Sequence, residues 1–324
     1  MKSARGQLVV LLLLLLPLCI TIVVGLADMA LVIVTKMRLQ TTADRAARAA
    51  GKNLAELMQQ LAHTNWQIHH EFTQQQKEFT TSQEQSVQSG KDHIHKRQLA
   101  IDFLRAQMDE TLHTGYTQAC QRALAVVVQE FPWAEMVPLY GGARMVTQTD
   151  GRSCVADRPL FSFYDDAVRT EQWPTLAFTY PKGDSAYDPA DVDQSDRALL
   201  QYRTKAEGDD QQVAFALRLR SRLPRGFFGG LFTDRVAPGE LPRNTAWLEA
   251  SAAAQPIGGS IEAAAFLNAD SEADLDAEIH EAGLSYDTTL VPLDRLQQRN
   301  AGYQGLRYFD DTNGWIDDDA WYLQ

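Results

Sequence analysis

An apolar run from Leu8 to Thr35, broken only by Asp28, constrains this chain more than any other feature. About 20 apolar residues cross the hydrocarbon core of a bilayer, and this run is longer than that. A cleavable secretory signal has only about 7–15 apolar residues ahead of a small-residue cleavage site. Here Leu11 to Leu16 nearly fills such a region, and apolar sequence continues well past Gly25. The run reads as an uncleaved membrane anchor, with a cleaved signal as the lesser alternative. Pro17 lies within it, and membrane helices absorb such a residue through local adjustment.

Asp28 has two readings. A carboxylate inside the membrane is costly and marks a functional or partner-pairing site by default. Alternatively Leu8 to Ala27 fills the hydrocarbon and Asp28 sits at the interface, which length alone favours. Met29 to Val34 then packs on a partner or tilts along the membrane surface. Lys2 and Arg5 precede the span; Lys36, Arg38, Arg45, Arg48 and Lys52 follow it. Charge by itself weakly places the C-terminal side in the cytoplasm, but long domains translocate largely regardless of charge.

Around and beyond the span the chain reads Gly6-Gln7, Leu16-Pro17, Gly25, Asp28, Leu39-Gln40, Ala43-Asp44, Ala46-Ala47 and Ala49-Ala50. This order resembles the TadE/TadG-like N-terminus of the tight-adherence (Flp-type) pilus assembly system, over about residues 6–50. The resemblance implies an N-terminus inside and the bulk of the chain outside, in the periplasm. It also implies partners among other pilus-assembly or minor-pilin proteins. Two features depart from relatives of that system. A processed pilin has a glutamate five residues after its cleaved glycine, and counting from Gly6 that position is Leu11. The Asp-x-Ser-x-Ser metal motif of some TadG-like proteins is absent, so metal-dependent adhesion is not carried over.

Residues 36–130 read as a helical stalk or helical hairpin. No proline interrupts them, and Gln, Glu, Lys, Ala and Leu dominate, all good helix formers. Leu54, Met58, Leu61, Ile68, Phe72 and Phe79 form one heptad-like seam, with Asn65 and Gln75 as polar entries. Ser89-Gly90 is the expected turn. A second apolar face follows through Ile94, Ile101, Leu104, Met108, Leu112, Tyr116 and Leu124. Two similar helices predict an antiparallel hairpin; a single kinked stalk is the rival. The polar seam positions favour a weak or hetero-oligomeric coiled coil over a tight homodimer. His63, His69, His70, His93, His95 and His113 do not converge at ligand spacing and read as solvated.

Residues 131–324 change character, with more proline, glycine and aromatic residues and strand-length apolar runs. Met136 to Tyr140 and Ala143 to Gln148 flank Gly141-Gly142 and predict a hairpin. Further strands are expected at 153–156, 160–164, 175–180, 213–219, 247–254, 288–293 and 306–309, with helices at 191–205 and 272–282. The fold class is therefore α+β: a transmembrane helix, a helical stalk or hairpin, and a mainly antiparallel sheet domain with a few helices. The expected divisions are an anchor over 1–35, the helical part over 36–130 and an extracytoplasmic domain over 131–324.

Chemistry finds little support in this sequence. Asp184 to Asp196 and Asp310 to Asp319 are acidic, but placing Gly314 at the sixth position of a calcium loop puts Ala320 at the twelfth. Gly226, Gly229 and Gly230 lack phosphate-loop spacing, and the adjacent Phe227 and Phe228 read as core rather than docking residues. No nucleophile elbow or His-Glu-x-x-His occurs, and His280 reads as a surface residue. A net charge of -12 argues against nucleic acid. Cys120 and Cys154 lie beyond the anchor, and whether they pair or stay reduced depends on the compartment. The expectation is a non-enzymatic, single-pass inner-membrane component of pilus assembly or secretion, minor-pilin-like or scaffold, without cofactor. Its partners would be membrane lipid and other assembly proteins, with hetero-oligomerisation through the helical part. The alternative is a single-anchor periplasmic ligand-binding or sensory protein, although the seven residues before the span leave no room for a cytoplasmic output.

Overall fold

The computed structural model describes residues 3–85, 88–139, 143–148, 151–165, 204–207, 213–222, 247–293, 307–310 and 314–317. Helix α1 runs unbroken over Ser3–Gln85, 83 residues and about 125 Å at 1.5 Å per residue. Helix α2, Gln88–Glu130, returns along it. α1 ends at Gln85 and α2 begins at Gln88, so Gly90, expected in a turn, lies inside α2. The pair is an antiparallel hairpin. At its base Arg45 Nη1 donates to Glu130 Oε1 at 2.9 Å. Nearer the turn, Arg97 donates to Glu71 and Glu78, each at 2.7 Å. Hydrogen bonding to Glu78, aided by Glu71, raises the Arg97 pKa above its ordinary value despite opposing burial.

Both apolar faces close on each other and on the sheet. Leu54, Met58, Leu61 and Ile68 of α1 are buried, as are Ile101, Met108, Leu112 and Tyr116 of α2. The polar seam entries have partners within the chain. Asn65 Nδ2 donates to the Ile261 carbonyl at 3.0 Å, and Gln75 Nε2 to Gln98 Oε1 at 3.4 Å. The seam expected to serve an oligomer is thus the chain's own core.

The principal sheet is antiparallel in the order β1-β6-β7-β8. Its strands are β1 (Glu135–Pro138), β6 (Phe215–Arg222), β7 (Trp247–Gly258) and β8 (Tyr286–Val291). Three two-stranded ribbons accompany it: β2 (Ala143–Gln148) with β3 (Gly151–Ala156), β4 (Ser162–Asp165) with β5 (Thr204–Glu207), and β9 (Arg307–Asp310) with β10 (Gly314–Asp317). Two short helices, α3 (Ile261–Ala264) and α4 (Glu272–Glu281), sit between β7 and β8. Ser260 and Ser271 cap them, each accepting from a backbone N–H in the first turn.

Several sequence expectations are corrected. β1 does not form a hairpin with β2; it pairs with β6, Glu135 opposite Arg220 and Pro138 opposite Leu217. Pro138, which has no N–H, is accommodated because β1 is an edge strand. The hairpin is instead β2–β3, with Gln148 opposite Gly151, whose φ of 140° suits glycine. β7 extends past its expected end through Pro256, which pairs with Thr288 of β8 where β6 has already stopped. Asp310 and Asp317 are strand residues at opposite ends of the β9–β10 ribbon, Asp310 opposite Gly314 and Asp317 opposite Arg307. Thr204 and Lys205 are strand, not helix. The expected strand at 175–180, the rest of the expected helix at 191–205, Asp184 to Asp196, Phe227 and Phe228 lie outside the described residues.

Candidate functional site at the junction of anchor and head

The candidate site is the stretch of α1 where an exposed apolar helix becomes the spine of a folded head. Between Leu15 and Met37 the large apolar side chains are exposed apart from the partly covered Val24 and Val32, with Val23 at 64% and Met37 at 64%. None of the apolar window that qualifies this helix to cross a membrane is buried. Within two residues of Met37 the pattern inverts, and Leu39 is fully buried. Ala43, Ala46, Ala47 and Ala50 follow on the same helix, all at 0%.

The reason lies in the sheet. β7 supplies Ala250, Ala252 and Ala254, which share one face by strand alternation. A Cβ added to Gly51 would stand 2.7 Å from the Ala254 Cβ and would also strike Thr288 Oγ1. Small side chains on both surfaces therefore let α1 lie directly on β7 and β8. The bulk comes from β6, where Phe215, Leu217 and Leu219 pair in register with Ala254, Ala252 and Ala250.

Polar bonds fasten this junction. Lys36 Nζ donates to the Glu249 carbonyl oxygen. Gln40 Nε2 donates to the Ser251 carbonyl at 3.1 Å and to Asp44 Oδ1 at 2.9 Å. On the other side Thr42 Oγ1 reaches Glu130 Oε2 at 3.3 Å, beside the Arg45 bond. Leu39, Gln40, Ala43 and Asp44 therefore divide the work of packing and bridging at one point. Glu249 also takes Arg220 Nε at 3.0 Å and Arg218 Nη1 at 3.4 Å.

Gly6 and Gln7 fall in the first turns of α1, and Pro17 is inside the helix, where Thr21 Oγ1 donates to its carbonyl. Gly25 and Asp28 lie on the exposed segment, both partly covered. Cys120 of α2 and Cys154 of β3 are joined as a disulfide with a Cα–Cα distance of 5.9 Å, while Cys19 is an exposed free thiol. Three histidines are not simply solvated. His63 Nε2 meets Asp276 Oδ1 at 2.9 Å, His70 stacks on Trp66, and His69 tilts against Phe266. His63 and His69 hold α1 against the α3–α4 region, which sets the Asp276 carboxylate and the Phe266 ring beside them, whereas His70 stacks within α1. Among the described residues no group of three or more His, Cys, Asp or Glu could hold a metal ion.

The matched segment coincides with this junction. The Tad family model, Flp pilus-assembly TadE/G-like, matches residues 6–53. Its upper limit falls two residues past Gly51, where α1 has completed its descent onto the sheet. The TadE/G-like segment thus comprises the apolar helix together with the first turns that seat it in the head. No curated protein and no solved structure is a match to the chain. Leu39, Gln40, Ala43 and Asp44 are motif positions legible in the sequence, but nothing there discloses Lys36 as a bridging residue or Glu249 and Ser251 as the acceptors. Those contacts span more than 200 residues and depend on the sheet being formed.

Proposed function

We propose that this chain is a non-enzymatic, single-pass component of Tad/Flp-type pilus assembly or secretion, minor-pilin-like or scaffold. In this reading residues 1–35 anchor it in the inner membrane, residues 36–130 form the spine, and residues 131–324 complete a periplasmic head. The observation that carries it is the TadE/G-like match lying on the turn-by-turn passage from exposed apolar helix to buried spine. The Cys120–Cys154 pair supports an oxidising compartment for the head. Asp28 and the apolar segment engage the assembly platform within the membrane. Because the heptad seam is occupied internally, contacts with other subunits use outer faces, such as Leu99 and Phe103 one turn apart on α2, both exposed.

Deletion of the gene in the native host, with surface filaments counted by electron microscopy, tests the assignment. Loss of filaments restored by the wild-type chain but not by Asp28→Ala supports both the assembly role and the part given to Asp28. Normal filament numbers and adherence after deletion overturn it in favour of an anchored ligand-binding protein.

A further inference from the structure

The end of the head beside the anchor differs chemically from the end remote from it. α1 leaves its exposed apolar stretch at Met37 and is buried at Leu39, so less than one turn separates the two. β7 begins at this level, since Glu249 meets Lys36, and the strand then climbs with α1 through Ser251 and Ala254. Trp247, two residues before Glu249, lies at the lower rim. β1 likewise starts there, because Glu135 pairs with Arg220 and Arg220 with Glu249. The turn preceding β1 presents Trp133, 79% exposed. Trp247 is 37% exposed, with the Arg222 guanidinium 5.8 Å from its ring centroid.

Cations accompany these indoles. Lys36 and Arg38 are exposed on α1, and Arg220 and Arg222 lie on the last turns of the β6 ladder. The opposite end is acidic. From Gly259 to Leu293 the chain has Glu262, Asp270, Glu272, Asp274, Asp276, Glu278, Glu281 and Asp287, and no Lys or Arg. Glu135 and Glu249 lie at the level of the indoles too, and Glu249 bridges to Arg220 and Arg218, so the basic excess of this tryptophan-bearing rim rests on Lys36, Arg38 and Arg222 in a protein of net charge -12. Indoles at an interface and basic residues beside it are the chemistry of a membrane surface.

Length agrees with this placement. Leu8 to Thr35 as a helix measures about 42 Å, the ~40–45 Å of a whole bilayer with its headgroups. The apolar run then ends at the headgroup surface, where Lys36 and the rim begin. We infer that the foot of the head, through Trp133, Trp247, Lys36, Arg38 and Arg222, docks on an anionic lipid surface. This inference rests on the membrane-anchored reading above, and the experiment separates the two.

The full chain, with Cys19→Ser, is reconstituted into phosphatidylcholine vesicles with or without phosphatidylglycerol. Nitroxide labels at Val128→Cys (beside the rim, leaving both tryptophans intact) and at Asp276→Cys on the acidic end report depth by electron paramagnetic resonance. Flotation with the vesicles reports the anchor independently. The expected result is a Val128 label at headgroup depth only in vesicles containing phosphatidylglycerol, released at 1 M salt, where the screening length is about 3 Å. The Asp276 label stays aqueous throughout. Arg38→Ala and Arg222→Ala each lower the docked-to-undocked ratio about fivefold, the equivalent of about 1 kcal/mol per cation near an anionic surface. A chain that floats while its Val128 label remains aqueous in both lipids overturns the docking and leaves the rim to a protein partner. Equal depth in both lipids overturns the role of charge. A chain that does not float overturns the anchor and the docking together.

Discussion

Gly51→Ala and Gly115→Ala make the same chemical change in two helices, and the structure assigns them different costs. Alanine is favoured over glycine inside a helix by about 1 kcal/mol, so propensity alone stabilises both variants. At Gly115 the new methyl would meet the side chain of Leu160, with Cδ1 at 2.6 Å. Leu160 Cγ is met as well, at 2.7 Å, but these atoms belong to one side chain that can swing about χ1 at about 0.5–1.5 kcal/mol, leaving a net effect near zero. At Gly51 the new methyl would meet the Ala254 Cβ at 2.7 Å and Thr288 Oγ1. Threonine can rotate, but the Ala254 Cβ is fixed to its strand, so α1 must lift from the sheet. Overpacking of this kind costs about 1–3 kcal/mol. Set against the propensity gain, Gly51→Ala ends about 1–2 kcal/mol less stable. Thermal unfolding of the full chain in micelles, followed by near-ultraviolet circular dichroism, reads the difference. At about 2–4 °C per kcal/mol for a domain of this size, the two midpoints separate by several degrees. A Gly51→Ala midpoint at or above that of Gly115→Ala refutes the close seating of α1 on β7 and β8.

Replacing both Cys120 and Cys154 by alanine opens a loop with a sequence separation of 34. The chain-entropy relation gives a loss of about 3–4 kcal/mol, read as a lower urea midpoint, and reductant should lower the wild-type midpoint alike; equal midpoints refute the bond. Arg97→Met leaves Glu71 and Glu78 facing without their shared cation. For a clamp only partly removed from solvent the cost is about 0.5–1 kcal/mol, and amide exchange should quicken on both helices near the turn while the sheet is unaffected. One alanine inserted after Val32 rotates the span about 100° against the head, whereas four rotate it about 40°. Filament complementation should fail with one and partly return with four, and equal complementation would show that the orientation of the span is immaterial.

The elements with strong periodicity were legible in the sequence: the anchor, the two apolar helix faces and the Val213 to Leu219 strand. Pairing was not legible, because it is fixed by contacts between distant segments. Gly141-Gly142 between two apolar runs gave a reasonable local hairpin signal, yet β1 bonds to β6 nearly 80 residues on. β2 pairs instead with β3, Gln148 opposite Gly151. The spine was the hardest part to see. Ala43, Ala46, Ala47 and Ala50 hardly mark an apolar face by composition, and they become core only because β7 opposes them with alanines. Asn65 and Gln75 looked like weak points in a coiled coil because the carbonyl of Ile261 and the amide of Gln98 cannot be placed from sequence.

The junction also decides what kind of connection the anchor makes. From Asp28 to Leu39 there is neither proline nor glycine, and α1 runs through without interruption. Sharp bends in helices arise at proline, at glycine pairs, at bulges or at inserted polar groups, and this stretch has none of the first two. Immediately above it, Lys36 and Gln40 bond α1 to the Glu249 and Ser251 carbonyls of β7, while Arg45 bonds it to the end of α2. A rotation of the span therefore cannot be absorbed at the membrane surface. It reaches the four-stranded sheet and the hairpin as one rigid movement, since both are built on the same helix. A stalk that only raised the head above the bilayer would need none of these bonds and would bury no alanines. Spending the first turns beyond the membrane on packing means that the position of the helix in the bilayer and the orientation of the head are a single variable.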